Sequence, residues 1–176
     1  MNQSIMIAGF GGQGILFTGK FLAYAGLLAN LEVSWLPSYG VEMRGGTANC
    51  GVVISDRPVG SPIVKNPDIL MVMNLPSFDK FEESTASGGK VFIDSALVNR
   101  APARSDVTNY LLPATKLADE QNLKGLANMI LVGKLMAETE LFTQELIEKA
   151  IRKTVSERKK DLLEANLRAL ALGASL

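Results

Sequence analysis

The sequence predicts an α/β protein: a three-layer, mostly parallel sheet flanked by helices, with a helical C-terminal segment. Three observations carry this prediction. The apolar run 5–8 leads through a glycine-rich turn into a helical stretch that begins at Ile15. A continuous apolar run at 69–73 is typical of a strand buried on both faces of a parallel sheet. From Ala114 onward the pattern is helical.

The alternation of apolar runs with turn residues defines the elements in order. The predicted strands are 3–8, 32–36, 47–55, 69–73, 90–94 and 107–112. The predicted helices are 15–30, 76–81, 123–139, 143–155 and 161–172, with Gly173 ending the last one. The first strand, helix and second strand form a crossover unit, which implies parallel strands and a ligand site at their carboxyl ends.

Length and composition fit one domain over residues 1–176, with a sheet core in 1–112 and mainly helices in 113–176. Lys plus Arg and Asp plus Glu both number 18, so the charge balance favours neither nucleic acid nor an anionic membrane surface as a partner. The N-terminus shows no signal-peptide pattern, and the apolar stretch 15–31 is interrupted by Lys20. We therefore expect a cytoplasmic protein whose first helix is buried against the sheet.

The chain has one cysteine, Cys50, and no histidine. This excludes an intramolecular disulfide, a cysteine-bound iron-sulfur cluster, a usual zinc site and a triad with histidine as its base. Cys50 lies in an apolar strand without an evident partner that would stabilise a thiolate. We predict a small core residue rather than a nucleophile.

The most informative motif is the glycine loop after the first strand, formed by Gly9, Gly11, Gly12, Gln13 and Gly14. Glycines allow positive φ angles and close approach of the backbone to a ligand, and the first N–H groups of the following helix carry partial positive charge. Gln13 adds a side-chain amide that can donate and accept. The loop is therefore predicted to bind an anion, most simply a phosphate, and a ligand-free tight turn is the alternative.

Two nucleotide-binding motifs nearly match this region. A nicotinamide-binding fold requires a carboxylate at the end of the second strand, but residues 35–38 contain none and Glu32 lies at the wrong end. A phosphate-binding P-loop would include Lys20, yet Phe21 stands where a magnesium-binding hydroxyl is required. Both motifs are therefore disfavoured.

A second polar loop follows the second predicted strand and contains Tyr39, Glu42, Arg44, Gly45 and Gly46. In a parallel sheet it emerges beside the glycine loop, because both loops follow carboxyl ends. The Arg44 guanidinium offers a planar fork for phosphate or carboxylate, and Glu42 can orient it. A surface ion pair in a flexible turn is the alternative.

Segments 7–14, 38–46, 67–70 and 88–91, in this order, resemble the gamma subunit of 2-oxoacid:ferredoxin oxidoreductases. The resemblance runs through nearly the whole chain, and its first two motifs are specific. Val41 departs from it, since many members of the family carry proline there. This affects little beyond the stiffness of the loop.

The resemblance implies a complex that oxidatively decarboxylates a 2-oxoacid to acyl-coenzyme A and passes electrons to ferredoxin. It also implies that alpha, beta and ferredoxin-like delta subunits hold thiamine diphosphate, Mg and the iron-sulfur clusters, while this chain lines the coenzyme A side without a catalytic residue. Which 2-oxoacid is oxidised stays open among pyruvate, 2-oxoglutarate, branched-chain and aryl-pyruvate types. A freestanding nucleotide- or coenzyme A-binding module and a small NAD(P)-dependent reductase are the alternatives. The resemblance suggests that residues 11–14 and Arg44 help to bind the coenzyme A phosphates. The full set of residues that we predict to bind the cofactor is Gly9, Gly11, Gly12, Gln13, Gly14, Tyr39, Glu42, Arg44, Gly45 and Gly46.

Overall fold

The structure is a computed structural model and describes residues 1–38, 47–155 and 160–176. The strands are β1 (Asn2–Phe10), β2 (Glu32–Ser38), β3 (Thr47–Ser55), β4 (Ile69–Val72), β5 (Lys90–Asp94) and β6 (Thr108–Leu112). The helices are α1 (Ile15–Leu28), α2 (Leu75–Phe81), α3 (Ala114–Glu120), α4 (Ala127–Thr139), α5 (Gln144–Thr154) and α6 (Lys160–Ala174).

The strands form one sheet in the order β2-β3-β1-β4-β5-β6. The pairs β1–β4, β4–β5 and β5–β6 are parallel, whereas β3 runs antiparallel to both of its neighbours, β1 and β2. The predicted strand–helix–strand unit is therefore present, with β1 and β2 running in the same direction, but β3 is inserted between them. The prediction of a mostly parallel α/β sheet is confirmed.

Alternate residues of the central strands supply two cores on opposite faces of the sheet. Ile5 and Ile7 of β1 face the larger core, which also receives buried side chains of α1, α4, α5 and α6. Met6 and Ala8 face a smaller core on the other side, where Phe78 of α2 packs. This period of two is what a strand with helices on both faces requires. Each fully buried large side chain contributes about 2 kcal/mol to folding.

A loop over residues 95–106 covers the smaller core and is held by a buried carboxylate. Glu82 accepts hydrogen bonds from Arg100 Nη2 at 2.7 Å and from the Ala103 N–H at 2.7 Å. The Arg100 guanidinium also lies 4.4 Å from the centre of the Phe78 ring. The charge of Glu82, which is 3% exposed, is thus paired and hydrogen-bonded, as burial requires.

The prediction that Gly173 ends the last helix is wrong. It lies inside α6, and a Cβ at this position would come within 1.8 Å of the Ile130 carbonyl oxygen in α4. The residue therefore allows two helices to touch through their backbones rather than stopping one of them.

Other differences concern the ends of elements. β2 extends through Pro37, which an edge strand tolerates because one side of its backbone is unpaired. α1 ends at Leu28, and Asn30 follows with a φ of 56°. The helix predicted from residue 123 begins at Ala127, after Gly125 with a φ of 82°. Across the described ranges, every helix is too short or too polar to cross a membrane.

Candidate functional site

The glycine loop begins at the same edge of the sheet at which β2 ends and β3 begins. Phe10, the last residue of β1, pairs with Thr47, the first residue of β3, and Ser38 at the end of β2 pairs with Asn49. The described residues on both sides of the second loop therefore lie beside the glycine loop, at the carboxyl edge of the parallel strands. Tyr39, Glu42, Arg44, Gly45 and Gly46 themselves lie outside the described residues.

The glycine loop presents open backbone donors at the start of α1. Gly12 and Gly14 have φ angles of 91° and 76°, and no described side chain caps the helix. Within residues 1–38, 47–155 and 160–176, the N–H groups of Gly11, Gly12, Gly14 and Ile15 donate to no protein acceptor. No atom of residues 1–38, 47–155 or 160–176 lies within 4 Å of a Cβ built on Gly12. Uncapped N–H groups at the N-terminus of a 14-residue helix favour an anion.

Gln13 holds the loop in shape. Its Oε1 accepts from the Phe10 N–H at 2.6 Å, its Nε2 donates to the Met73 carbonyl at 3.0 Å, and its own N–H donates to the Phe10 carbonyl at 3.2 Å. Gly9 belongs to β1, where a Cβ would stand 2.6 Å from Gln13 Oε1. The structure thus uses Gln13 to tie the loop to the end of β4, and Gly9 to admit the Gln13 side chain.

Asn128, which the sequence reasoning missed, braces the loop from the other side. It is 2% exposed, and its Nδ2 donates to Thr18 Oγ1 at 3.0 Å and to the Gly14 carbonyl at 3.3 Å. Its Oδ1 is buried without a hydrogen-bond partner among the described residues. The available signal was a lone amide inside the apolar stretch that forms α4.

A cavity of 200 Å³ lies between the loop and α3. Gly12 and Gln13 line one side of it, and Thr115 and Asp119 line another. The start of α3 is fixed by Asp94 at the end of β5, whose fully buried carboxylate accepts from Thr115 Oγ1 at 2.5 Å and from the Thr115 N–H. Sequence reasoning did not identify Asp94 or Thr115 as parts of this edge.

The structure is consistent with rejecting both nucleotide-binding motifs. The P-loop residues lie inside a helix, and the carboxylate near the second strand lies far from the glycine loop. Gly19 and Lys20 lie within α1, and a Cβ on Gly19 would stand 2.5 Å from Cys50 Sγ and 2.7 Å from Trp35 Nε1. Glu32 is the first residue of β2, so it lies at the opposite edge from the glycine loop. Lys20 therefore belongs to a helix interior rather than to a phosphate-binding loop, and Glu32 lies away from the glycine loop.

The described residues include neither a reactive thiol nor a cluster of metal-binding side chains. Cys50 is fully buried, as predicted, and burial raises the pKa of its thiol to about 12, although a hydrogen bond with Trp35 opposes that shift. In the described ranges, no group of three or more His, Cys, Asp or Glu side chains is placed to hold a metal ion. The arrangement is suited to binding an anion through backbone N–H groups.

Comparison with known proteins decides the family. A family model described as "Pyruvate ferredoxin/flavodoxin oxidoreductase" matches residues 4–176. The chain belongs to this oxidoreductase family. The 2-oxoglutarate synthase subunit KorC of Methanocaldococcus jannaschii is 39% identical over 176 residues, which cover 98% of this chain and 92% of KorC.

A second relative, the ketoisovalerate oxidoreductase subunit VorA of Methanothermobacter thermautotrophicus, is 39% identical over 171 residues. The match covers 97% of this chain but 35% of VorA, so the chain spans about a third of the length of that relative.

Two solved structures have the same fold. The gamma subunit of a keto/oxoacid ferredoxin oxidoreductase from Geobacter sulfurreducens superposes with a TM-score of 0.84 at 27% identity, covering 98% of this chain and 96% of that chain. A 2-oxoglutarate:ferredoxin oxidoreductase from Magnetococcus marinus, with 2-oxoglutarate, coenzyme A and succinyl-CoA bound, has a TM-score of 0.88 at 23% identity. It covers 99% of this chain and 30% of that chain, and at this identity the likeness shows the fold alone.

Proposed function

We propose that this chain is the gamma subunit of a 2-oxoacid:ferredoxin oxidoreductase and that it binds coenzyme A phosphates at the glycine loop. The single observation that carries the second part is the set of backbone N–H groups of Gly11, Gly12, Gly14 and Ile15, which have no protein acceptor in the described ranges. The coenzyme A bound in the Magnetococcus marinus enzyme, which shares this fold, supports the same choice of ligand.

Coenzyme A suits the loop because its phosphates carry the negative charge that an uncapped helix N-terminus stabilises. The helix end contributes about 0.3 to 1 kcal/mol to such binding, and more where the site is partly buried. Arg44 belongs to the segment whose flanks lie beside the loop, and its guanidinium would add a charged donor. The same segment, residues 39–46, is proposed to line the other side of the coenzyme A site, with Tyr39, Glu42, Gly45 and Gly46.

The remaining cofactors are assigned to partner subunits. Cys50 is the single cysteine and is buried, so this chain lacks the four thiolates that an iron-sulfur cluster requires. We assign the clusters, thiamine diphosphate and Mg to alpha, beta and ferredoxin-like delta subunits, with ferredoxin as electron acceptor. We further propose that this chain forms one domain and carries no redox centre, and we predict a cytoplasmic location.

The purified chain alone should neither decarboxylate 2-oxoacids nor show iron-sulfur absorbance. Activity without partner subunits would contradict this division of the cofactors among the subunits.

The test of coenzyme A binding compares Gly12→Asp with Gly12→Asn in the assembled complex. The two side chains strain the backbone alike at a φ of 91°, and no described atom lies within 4 Å of the Cβ position, so the comparison isolates the effect of charge. Gly12→Asp should raise the KM for coenzyme A about tenfold above Gly12→Asn, because like charges near 4 Å repel by roughly 1 to 4 kcal/mol. A higher salt concentration should reduce the difference in KM between the two variants, because salt screens the repulsion. Equal KM values for the two variants would show that no phosphate lies at the loop.

Arg44→Ala tests separately whether the segment 39–46 contributes to coenzyme A binding. Loss of a guanidinium that contacts phosphate should raise the KM for coenzyme A and weaken its dependence on salt concentration. An unchanged KM with unchanged salt dependence would exclude Arg44 from the binding site while leaving the glycine loop to its own test.

A further inference from the structure

The glycine loop is held by two uncharged amide side chains that approach it from different parts of the fold. Gln13 fastens it to the end of β4 through Met73. Asn128, which is 114 residues from Gly14 in sequence, fastens it to α4. Of the two, only Asn128 is nearly inaccessible to solvent, at 2% exposure, and it contacts the residue at which the helix begins.

We propose that Asn128 is a positioning residue that aims the first N–H groups of α1 at a phosphate of coenzyme A. This inference rests on the proposed function, because it concerns the same loop and the same ligand. Asn128 itself touches no part of the ligand. It acts through the Gly14 carbonyl and the Thr18 hydroxyl.

The planarity of the peptide bond gives the mechanism. The Gly14 carbonyl and the Ile15 N–H belong to one trans peptide unit, so a carbonyl pulled toward the helix turns the N–H in the opposite direction. Three donors hold this carbonyl: the Thr18 N–H at 2.9 Å, Thr18 Oγ1 at 3.0 Å and Asn128 Nδ2 at 3.3 Å. The Ile15 N–H is therefore directed away from the helix, toward the position of the anion.

Asn128 also fixes the Thr18 hydroxyl in the orientation that this arrangement needs. Asn128 Nδ2 donates to Thr18 Oγ1 at 3.0 Å, so that oxygen accepts from the amide while its own hydrogen goes to the Gly14 carbonyl. Without the amide, the hydroxyl is free to rotate and the carbonyl loses one or both side-chain donors. Glycine at position 14 is required as well, because a Cβ there would stand 2.4 Å from Asn128 Nδ2.

The neutrality of the amide is part of the proposed role. Asn128 Oδ1 is buried without a described partner and lies 3.3 Å from the Cβ position of Gly14. A carboxylate there would place a negative charge beside the donors that receive the phosphate, in a poorly solvated environment where repulsion is strong. An asparagine provides the donor without that repulsion.

The experiment uses Asn128→Asp and Asn128→Ser in the assembled complex, with Asn166→Asp as the matched control. Asn166 is likewise buried, at 1% exposure, and its Oδ1 has no partner among the described residues. Its Nδ2 donates to a helical carbonyl, that of Leu162, at 2.7 Å. It lies in α6 and contacts no residue of the glycine loop in the described hydrogen bonds. A general effect of placing a carboxylate in a buried helix should therefore appear in both Asp variants.

We expect Asn128→Ser to raise the KM for coenzyme A about fivefold and Asn128→Asp more than about tenfold, as for loss of one orienting hydrogen bond without and with added charge repulsion. The kcat at saturating coenzyme A and the KM for the 2-oxoacid should stay unchanged. Asn166→Asp should leave all three constants unchanged.

Three results would overturn the positioning role. They are an unchanged KM for coenzyme A in Asn128→Ser, an equal rise in Asn166→Asp, and failure of both Asn128 variants to assemble while Asn166→Asp assembles. The Gly12 pair distinguishes this failure from failure of the proposed function. If Gly12→Asp and Gly12→Asn differ but the Asn128 variants behave as the unmodified complex, the phosphate lies at the loop and Asn128 does not position it. If the Gly12 variants do not differ, both proposals are wrong.

Discussion

Gly173 in α6 lies so close to Ile130 in α4 that a Cβ on the glycine would stand 1.8 Å from the Ile130 carbonyl oxygen. Gly133 of α4 meets the Leu170 carbonyl oxygen of α6 in the same way, with a Cβ distance of 2.1 Å. Each helix presents a glycine where the other presents a carbonyl group. The two backbones therefore pack in direct contact, and this pairing fixes α6 against the rest of the fold.

Gly173→Ala should lower the free energy of unfolding by about 2 kcal/mol, because the added methyl group forces the helices apart and this outweighs the better helix propensity of alanine. Urea denaturation of the purified chain measures the change. Gly60→Ala is the control, since no described atom lies within 4 Å of its Cβ position, and its effect should stay within about 0.5 kcal/mol. Similar losses in the two variants would show that the contact is not tight.

Asp94→Ala should destabilise the chain by about 2 to 3 kcal/mol, because it removes the buried carboxylate that accepts from partly buried donors at the start of α3 and after β5. The groups affected are the N–H and hydroxyl of Thr115 and the N–H of Ala96. Thermal or urea unfolding measures the loss. Asp79→Ala removes a solvent-exposed ion pair with Arg100 and should cost less than about 1 kcal/mol. Equal costs would contradict the role of Asp94 as the acceptor that holds the start of α3.

The Cys50 thiol should resist alkylation by iodoacetamide in the native protein at pH 8, and react readily in denaturant. Burial raises its pKa to about 12, so the reactive thiolate is scarce and the sulfur is inaccessible. Mass spectrometry of the labelled chain measures this. Rapid labelling of native protein would show that β3 opens or that Cys50 is not in the core.

Asp106 should make part of the stability acid-sensitive. A hydrogen bond from Arg104, with a smaller one from Ser87, lowers the pKa of this carboxyl from 3.8 to about 2. Because the folded pKa is the lower one, the stabilisation is present above the unfolded pKa and is lost as the pH falls toward 2. The Tm difference between the unmodified chain and Asp106→Asn should therefore be constant near neutral pH and shrink below about pH 4. Arg104→Gln should weaken that pH dependence, and a difference that persists in acid would contradict the assignment.

The sequence allowed the glycine loop to be located and its edge of the sheet to be predicted, because strand, turn and helix start are contiguous. Ile15 was the predicted first residue of the helix and is its observed first residue. The insertion of β3 between β1 and β2 was not predicted, since strand order depends on pairing between distant segments. The contacts of Gln13 with Phe10 and Met73 likewise cannot be predicted from the sequence, which indicates only that the amide can bind a ligand.

Gly173 is predicted to end α6 but lies within it, and the reason is again a contact between distant segments. A glycine near the end of a helical pattern commonly terminates the helix, and sequence alone offers no sign of a neighbouring backbone that excludes a Cβ. Asn128 was overlooked for the opposite reason. One amide in an apolar helix carries no local signal of function, and its importance depends on the fold bringing it to Gly14.

By itself the sequence determined the α/β class, the glycine loop at the head of α1, the absence of histidine and of a cysteine set, and the family. These properties depend on local periodicity, residue type and short motifs, which neighbouring residues set among themselves. Only the tertiary structure decided which residues hold the loop, where β3 lies and why Gly173 is a glycine. Those relationships join residues far apart in the chain, and they exist only after packing has brought the two partners within hydrogen-bonding or van der Waals distance.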